Sequence, residues 1–309
     1  MPTLVDRNIR SKKQPLLEYF RDRASELSFE LKRTYADSEY KQRTAAANKG
    51  LIAAREMLIK ILEQNARREN WSRREVLEGV LMITYTNYVI MMELRNALWQ
   101  YEYMTFSRRI GELWEPFCQL CWEHPLVENL QLFVPPLFKD VREKLASEIE
   151  EFIDNLSIAK DDKSQLKRYY QKVWSLVTSG EIKLALDLHF DDGHDKYVVD
   201  FKSGFSSNEK GNTNRLLLVA SVYRLLEEDH KCVIFVRSAE DRNNHYLQTL
   251  KHSKLWSVYC GEETYEQIEI FTGFDISTWM KSNVKWAEDF SPEMYSHIKA
   301  NNLEQYLEW

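Results

Sequence analysis

The sequence predicts a mixed α/β (α+β) chain: a helical N-terminal region, then a mixed sheet core flanked by helices. Three observations predict it. Apolar residues recur at helical spacing through the first hundred positions. Between Glu181 and Lys202 the pattern changes to strict alternation, and Lys231 to Arg237, KCVIFVR, reads as a buried strand. Only nine glycines and seven prolines serve 309 residues, which favours helices over a loop-rich all-β fold.

The elements follow in order. Gln14 to Thr34 carries Leu17, Phe20, Leu27 and Leu31 on one helical stripe. A second helix over Ser38 to Asn70 has Leu51, Ile52, Met57, Leu58, Ile61 and Leu62 as its core. Ser72-Arg73-Arg74-Glu75 is a capping box, so a third helix starts there and runs to about Tyr103. It is apolar on several faces (Val80, Leu81, Met82, Val89, Ile90, Met91, Met92), as expected of a buried helix or a subunit contact. Ser107 to Cys121 reads as a further helix in which Pro116 should impose a kink or a new start.

Gln131 to Val134 is a short strand ahead of Pro135-Pro136. Phe138 to Ile158 is helical, Asp161-Asp162-Lys163-Ser164 breaks it, and Gln165 to Thr178 is helical again. Past the alternating segment, Asn212 to Arg224 is a helix, Asn244 to Lys251 another, Leu255 to Cys260 a strand, and Ser291 to Trp309 a helical tail. The domains expected are residues 1–104, a helical region, and 105–309, a mixed α/β domain with a helical insertion at about 137–180.

The alternating segment carries the chemistry. In Glu181 to Phe190, Ile182, Leu184, Leu186, Leu188 and Phe190 fall on one face; Lys183, Ala185, Asp187 and His189 fall on the other. Asp192-Gly193 marks a hairpin turn. In the second run Tyr197, Val199 and Phe201 share a face, and Val198, Asp200 and Lys202 share the opposite, functional or wet face. If the runs pair, Asp187 sits across from or diagonal to Asp200. Two carboxylates and one ammonium so placed suit metal-dependent phosphodiester cleavage. Mg²⁺ takes one or two carboxylates plus water and phosphate, here Asp187 and Asp200, with the Phe201 carbonyl as a further oxygen. Lys202 would hold or polarise the attacking water and offset charge on the phosphate.

The pattern resembles the PD-(D/E)xK nuclease superfamily, whose signature is an aspartate on one strand and an acid-x-lysine triplet on the next. Asp187 and Asp200-Phe201-Lys202 match it; the proline that often precedes the first aspartate is replaced by Leu186. The order strand–strand–helix–strand over roughly residues 105–240 is similar to the family core, so the resemblance implies a restriction-endonuclease-like fold. It also implies an auxiliary glutamate on an early helix. Gly111 to Trp114-Glu115 matches that pattern, which gives the role to Glu115, with Glu112 and Glu181 as further candidates. The loop Ser203 to Arg215 looks like one in type II restriction endonucleases.

The function expected is therefore a type II restriction endonuclease: Mg²⁺-dependent hydrolysis of double-stranded DNA at a specific sequence, leaving 5′-phosphate and 3′-hydroxyl ends, from a homodimer. The alternatives are a RecB-like repair or recombination nuclease, and a non-catalytic DNA-binding protein on a degenerate nuclease fold. Expected DNA contacts are Arg67, Arg68, Arg73 and Arg74 around Trp71, Arg108 and Arg109, and Ser206, Asn208, Lys210, Asn212, Asn214 and Arg215 in the loop after the triplet.

Composition narrows the field. The net charge of −6 argues against a histone-like binder, although residues 1–125 hold 20 Lys/Arg against 17 Asp/Glu while the rest hold 22 against 31. No apolar run is long enough to span a bilayer, no signal-peptide core opens the chain, and four cysteines show no disulfide-like pattern, so a cytoplasmic, membrane-free protein is expected. Cys118-x-x-Cys121-x-x-His124 has metal-like spacing without a second pair, and buried helix cysteines are the plainer account. Neither a Gly-rich phosphate loop nor a Gly-x-Ser-x-Gly elbow is present.

Overall fold

The computed structural model describes residues 4–177, 183–206, 209–226 and 229–309. In chain order the elements are α1 (Lys13–Thr34), α2 (Tyr40–Glu69), α3 (Arg73–Leu98), α4 (Tyr103–Glu123), β1 (Gln131–Leu132), α5 (Phe138–Asn155), α6 (Lys160–Val177), β2 (Leu188–Asp191), β3 (Lys196–Lys202), α7 (Lys210–Tyr223), β4 (His230–Val236), α8 (His245–Ser253), β5 (Trp256–Cys260), α9 (Glu262–Thr272), α10 (Ile276–Asn283), α11 (Trp286–Asp289) and α12 (Pro292–Ala300). The class is α+β: a five-stranded mixed sheet with helices around it. No helix among the described residues is long and apolar enough to cross a membrane.

The chain divides into two compact units, residues 1–130 with 260–309, and residues 131–259. The boundary expected at 104/105 thus falls after Leu130, and the C-terminal fifty residues belong with the N-terminal helices. The side chains give the reason. Asp289, 2% exposed, accepts from Tyr85 Oη at 2.6 Å and pairs with Lys13 at 3.0 Å. Trp309 donates to the Ile110 carbonyl and packs on Tyr88, Phe117 and Trp286. Three helices between residues 262 and 289 lie outside the elements expected from sequence (α9, α10, α11), and from them Tyr265, Trp279 and Trp286 pack on Trp114, Phe117 and Tyr85.

The helical unit is organised around α3, buried along nearly its whole length from Leu77 to Asn96. Two of its polar side chains bond to backbone carbonyls: Thr86 Oγ1 donates to Met82 O, and Asn87 Nδ2 to Leu51 O on α2. The Ser72–Glu75 capping box forms as expected. The helix stops at Leu98, short of Tyr103, because Asn96 Oδ1 takes the Tyr101 N–H at 2.8 Å and Trp99 is extended. Pro116 neither breaks α4 nor restarts it. The proline forfeits one hydrogen bond, and burial of Leu113, Trp114, Phe117 and Cys118 around it holds the helix together.

In the other unit the sheet order is β1-β2-β3-β4-β5. β1, β2 and β3 form an antiparallel meander, and β4 runs parallel to β3 with α7 as the crossover. Two expectations change here. Asp161 and Asp162 lie in the first turn of α6, where acidic side chains favour the positive end of a helix, so they start the helix earlier than expected and do not break it. The first motif strand is short: only Leu188–Asp191 pairs, Lys183 to Asp187 are irregular, and Glu181 and Ile182 lie outside the described residues.

Candidate functional site

The hairpin sets the geometry. Gly193 has φ 89°, the left-handed region its lack of a side chain permits, and Asp192 Oδ1 accepts the N–H groups of His194 and Asp195. That turn fixes the register Leu188↔Val199, His189↔Val198, Phe190↔Tyr197. Carried one residue further, it sets Asp187 opposite Asp200. Beyond the last paired residue Asp187 Oδ2 accepts the Phe201 N–H at 2.7 Å, so the first aspartate is bonded to the backbone of the triplet.

Lys202, two residues on from Asp200, points to the same side of β3. Its ammonium pairs with Asp200 Oδ2 and also donates to the Phe201 carbonyl at 3.1 Å. Arg215, in the second turn of α7, reaches Asp200 Oδ1 at 3.5 Å. Asp200 is 1% exposed, whereas Asp187 is exposed. Burial raises the Asp200 carboxyl to about 6, and the neighbouring Asp187 charge acts in the same sense, against the lowering influence of Lys202 and Arg215.

The face bearing Asp200 is not wet. α7 packs over it: Tyr223 Oη donates to Leu184 O at 3.0 Å and lies 3.3 Å from His189 Nε2. His189 is 6% exposed and burial pushes its pKa down to about 4, so it stays neutral. The opposite face is packed as well, with Phe190 stacked on Tyr197 at 4.7 Å and Phe201 against Phe235 at 5.3 Å. The expected division into one packed and one wet face gives way to a sheet buried on both sides, as strands in parallel pairing usually are. The charged cluster meets solvent only at its rim, through Asp187, Lys202 and Arg215.

No protein-family model, no curated protein and no solved structure matches this chain.

The remaining expected site residues fall into three groups. At the start of α7, Lys210 and Asn214 are exposed, and Asn212 bridges Glu209 and Arg215. Ser206 is exposed, its carbonyl held by Asn244; Asn208 lies outside the described residues. The loop itself is tied down. Phe205 N donates to Asn243 Oδ1 at 2.7 Å, Ser238 Oγ to Ser203 O at 2.6 Å, and a Cβ on Gly204 would come within 2.9 Å of Ser238 Oγ. Third, Glu115, Glu112 and the six other arginines belong to the helical unit. Glu115 accepts from Gln119 at 3.3 Å, and Glu112 pairs with Arg108 at 2.6 Å and Arg109 at 3.5 Å.

Around Trp71 the arginines are largely committed. Arg68 pairs with Glu69, Arg73 donates to the Val127 carbonyl, and Arg74 lies over the Phe274 ring; Arg67 is exposed. Trp71 itself is buried and donates to Glu69, a packed indole at a solvated corner. The Cys118/Cys121 pair is likewise buried helix core. Two partners of the site escaped the sequence reading: Arg215 as a counter-ion to Asp200, and Tyr223 as the partner of His189. Only their spacing from the start of α7 pointed that way.

Among the described residues no group of three or more His, Cys, Asp or Glu gathers, so a closed cage of protein ligands is absent there. The oxygens that do converge are Asp187, Asp200 and the Phe201 carbonyl, all hard donors. Asp200 Oδ2 is buried and set against Lys202. Two carboxylates and a carbonyl suit Mg²⁺, which prefers oxygen donors, keeps much of its water and takes phosphate as a ligand.

Proposed function

We propose that this chain is a Mg²⁺-dependent endodeoxyribonuclease of the PD-(D/E)xK kind, acting on double-stranded DNA as a type II restriction endonuclease does. The observation that carries the reading is the Asp187–Phe201 hydrogen bond together with the Asp200–Lys202 pair, which gather two carboxylates and an ammonium at neighbouring strand ends. Asp187, Asp200 and the Phe201 carbonyl would hold the ion. Once bound, Mg²⁺ supplies a water of lowered pKa and polarises the phosphate.

The chain's own groups do the rest. Lys202 would present its ammonium to the attacking water and to the phosphate oxygens. Arg215 stands at the rim of the same cluster, 41% exposed, where it is available to a phosphate. Exposed Lys210 and Asn214 extend that surface along α7. Attack in line with the 3′-oxygen leaving group gives 5′-phosphate and 3′-hydroxyl ends. A single site cuts one strand, so cleavage of a duplex calls for a homodimer.

A second reading is favoured by one observation. Asp200 is 1% exposed and both of its oxygens already face cations, as in a neutralised structural network on a nuclease fold that binds DNA without cutting it. The test is incubation of supercoiled plasmid with Mg²⁺ or EDTA, for the wild type and for Asp200→Ala and Lys202→Ala. Discrete linear fragments with Mg²⁺ alone, lost in both variants while DNA binding persists, are expected. Progressive degradation would move the reading to a RecB-like nuclease. Retained binding with no Mg²⁺-dependent cutting by the wild type would establish the second reading, and undiminished cutting by either variant would remove Asp200 and Lys202 from the mechanism.

A further inference from the structure

Within the helical unit a cavity of about 230 Å³ lies where α2, the end of α3 and the start of α4 meet. Arg95 lines it and is 8% exposed. Its guanidinium is held between two aromatic rings, 4.2 Å from the Trp99 centroid and 4.6 Å from that of Tyr101. Those rings orient the cation without neutralising it. Arg95 Nη1 is buried and has no hydrogen-bond partner. The hydroxyl of Tyr101, which lines the same cavity, is buried and set against Arg109.

Arg108 and Arg109 line the cavity from the second turn of α4, and the single carboxylate there, Glu112, pairs with those two and leaves Arg95 aside. Three guanidinium groups against one carboxylate leave two positive charges in excess. A buried, unpaired cation is costly, and burial duly pushes the Arg95 guanidinium below its ordinary range, with the Arg109 charge pushing the same way.

We propose that this cavity binds a phosphate group, with Arg95 as the buried anchor and Arg109 and Tyr101 as its companions. A doubly charged phosphate monoester matches the excess of two, and a singly charged backbone phosphodiester offsets half of it. Its oxygens would take the unused Arg95 Nη1 proton and the Tyr101 hydroxyl, and planar guanidinium forks suit tetrahedral oxyanions. The phosphate can belong to a nucleic-acid backbone or to a small phosphorylated ligand; the donors are the same. The inference does not rest on the nuclease reading, because no residue of the Asp187/Asp200/Lys202 cluster takes part.

The experiment is calorimetric titration of the full chain in EDTA, which silences any Mg²⁺ site. The probes are inorganic phosphate, pyrophosphate and a short DNA duplex, with Arg95→Gln, Arg109→Ala and the surface control Arg23→Ala. Saturable pyrophosphate binding is expected, weakened roughly tenfold or more by Arg95→Gln and by Arg109→Ala and unchanged by Arg23→Ala. Should Arg95→Gln fail to fold, Arg109→Ala, altered at a more exposed position, carries the test. Competition between duplex and pyrophosphate identifies the source as a nucleic-acid backbone; pyrophosphate binding without competition identifies a small phosphorylated ligand. No saturable binding of any probe, or binding that Arg109→Ala leaves intact, overturns the proposal.

Discussion

Lys202→Met separates a charge pair from a merely adjacent lysine, because methionine keeps the apolar stem and removes the ammonium. Asp200 is 1% exposed, and the Lys202 side chain 17%. Removing one partner of a buried pair costs about 3–5 kcal/mol. Arg215 remains 3.5 Å from Asp200 Oδ1, which sets the expected loss near the lower end, about 3 kcal/mol at pH 8. The pH dependence has a definite sign. The Asp200 carboxyl is raised from 3.8 to about 6, so its contribution to stability is full below 3.8 and is lost as the pH rises through about 6. Lys202 offsets that loss only while Asp200 is ionised. At pH 5 roughly nine-tenths of Asp200 is protonated, and the penalty of Lys202→Met should shrink below about 1 kcal/mol. Urea denaturation in EDTA at both pH values measures it, with hydrogen exchange of the 196–202 peptide assigning the loss to β3. An equal loss at pH 8 and pH 5, or none at pH 8, would refute a buried ion pair between these residues.

Two further predictions follow from particular contacts. His189 is held neutral, with its pKa lowered from 6.5 to about 4 by burial, so its stabilising contribution is complete above 6.5 and declines as the pH falls towards 4. Between pH 7 and pH 5 the wild type should lose about 2 kcal/mol more than His189→Gln, which does not titrate; parallel denaturation curves with identical losses would contradict this. Ser72 Oγ accepts the Glu75 N–H at the start of α3, and Ser72→Ala should cost about 1 kcal/mol, read as a lower urea midpoint at unchanged slope, whereas an unshifted midpoint would deny the cap any role.

The sequence by itself determined the local chemistry of this protein. Period-two alternation, Asp192-Gly193 and the Asp-x-Lys spacing gave the hairpin and put Asp200 and Lys202 on one side of it, since neighbours two apart on a strand must share a face. Ser72 and Glu75 marked the start of α3 within one residue. Helical periodicity located α1, α2, α5, α7 and α8 closely, although it carried α3 past its true end.

What lay beyond the sequence was everything decided by which surface packs on which. That α7 covers the Asp200 face, turning an expected wet face into a buried one, depends on Tyr223 and Arg215 meeting residues 34 and 15 positions away. The return of residues 260–309 to the helical unit rests on Asp289 and Trp309, single residues whose partners near Tyr85 and Ile110 leave no periodic trace. Pro116 stays inside a helix because burial of its neighbours outweighs one missing hydrogen bond. Arg95 reads in the sequence as an ordinary helical arginine. Only the tertiary structure, by enclosing it between two aromatic rings without a carboxylate, makes it a cation in want of an anion, because burial is a property of the surroundings and not of the residue.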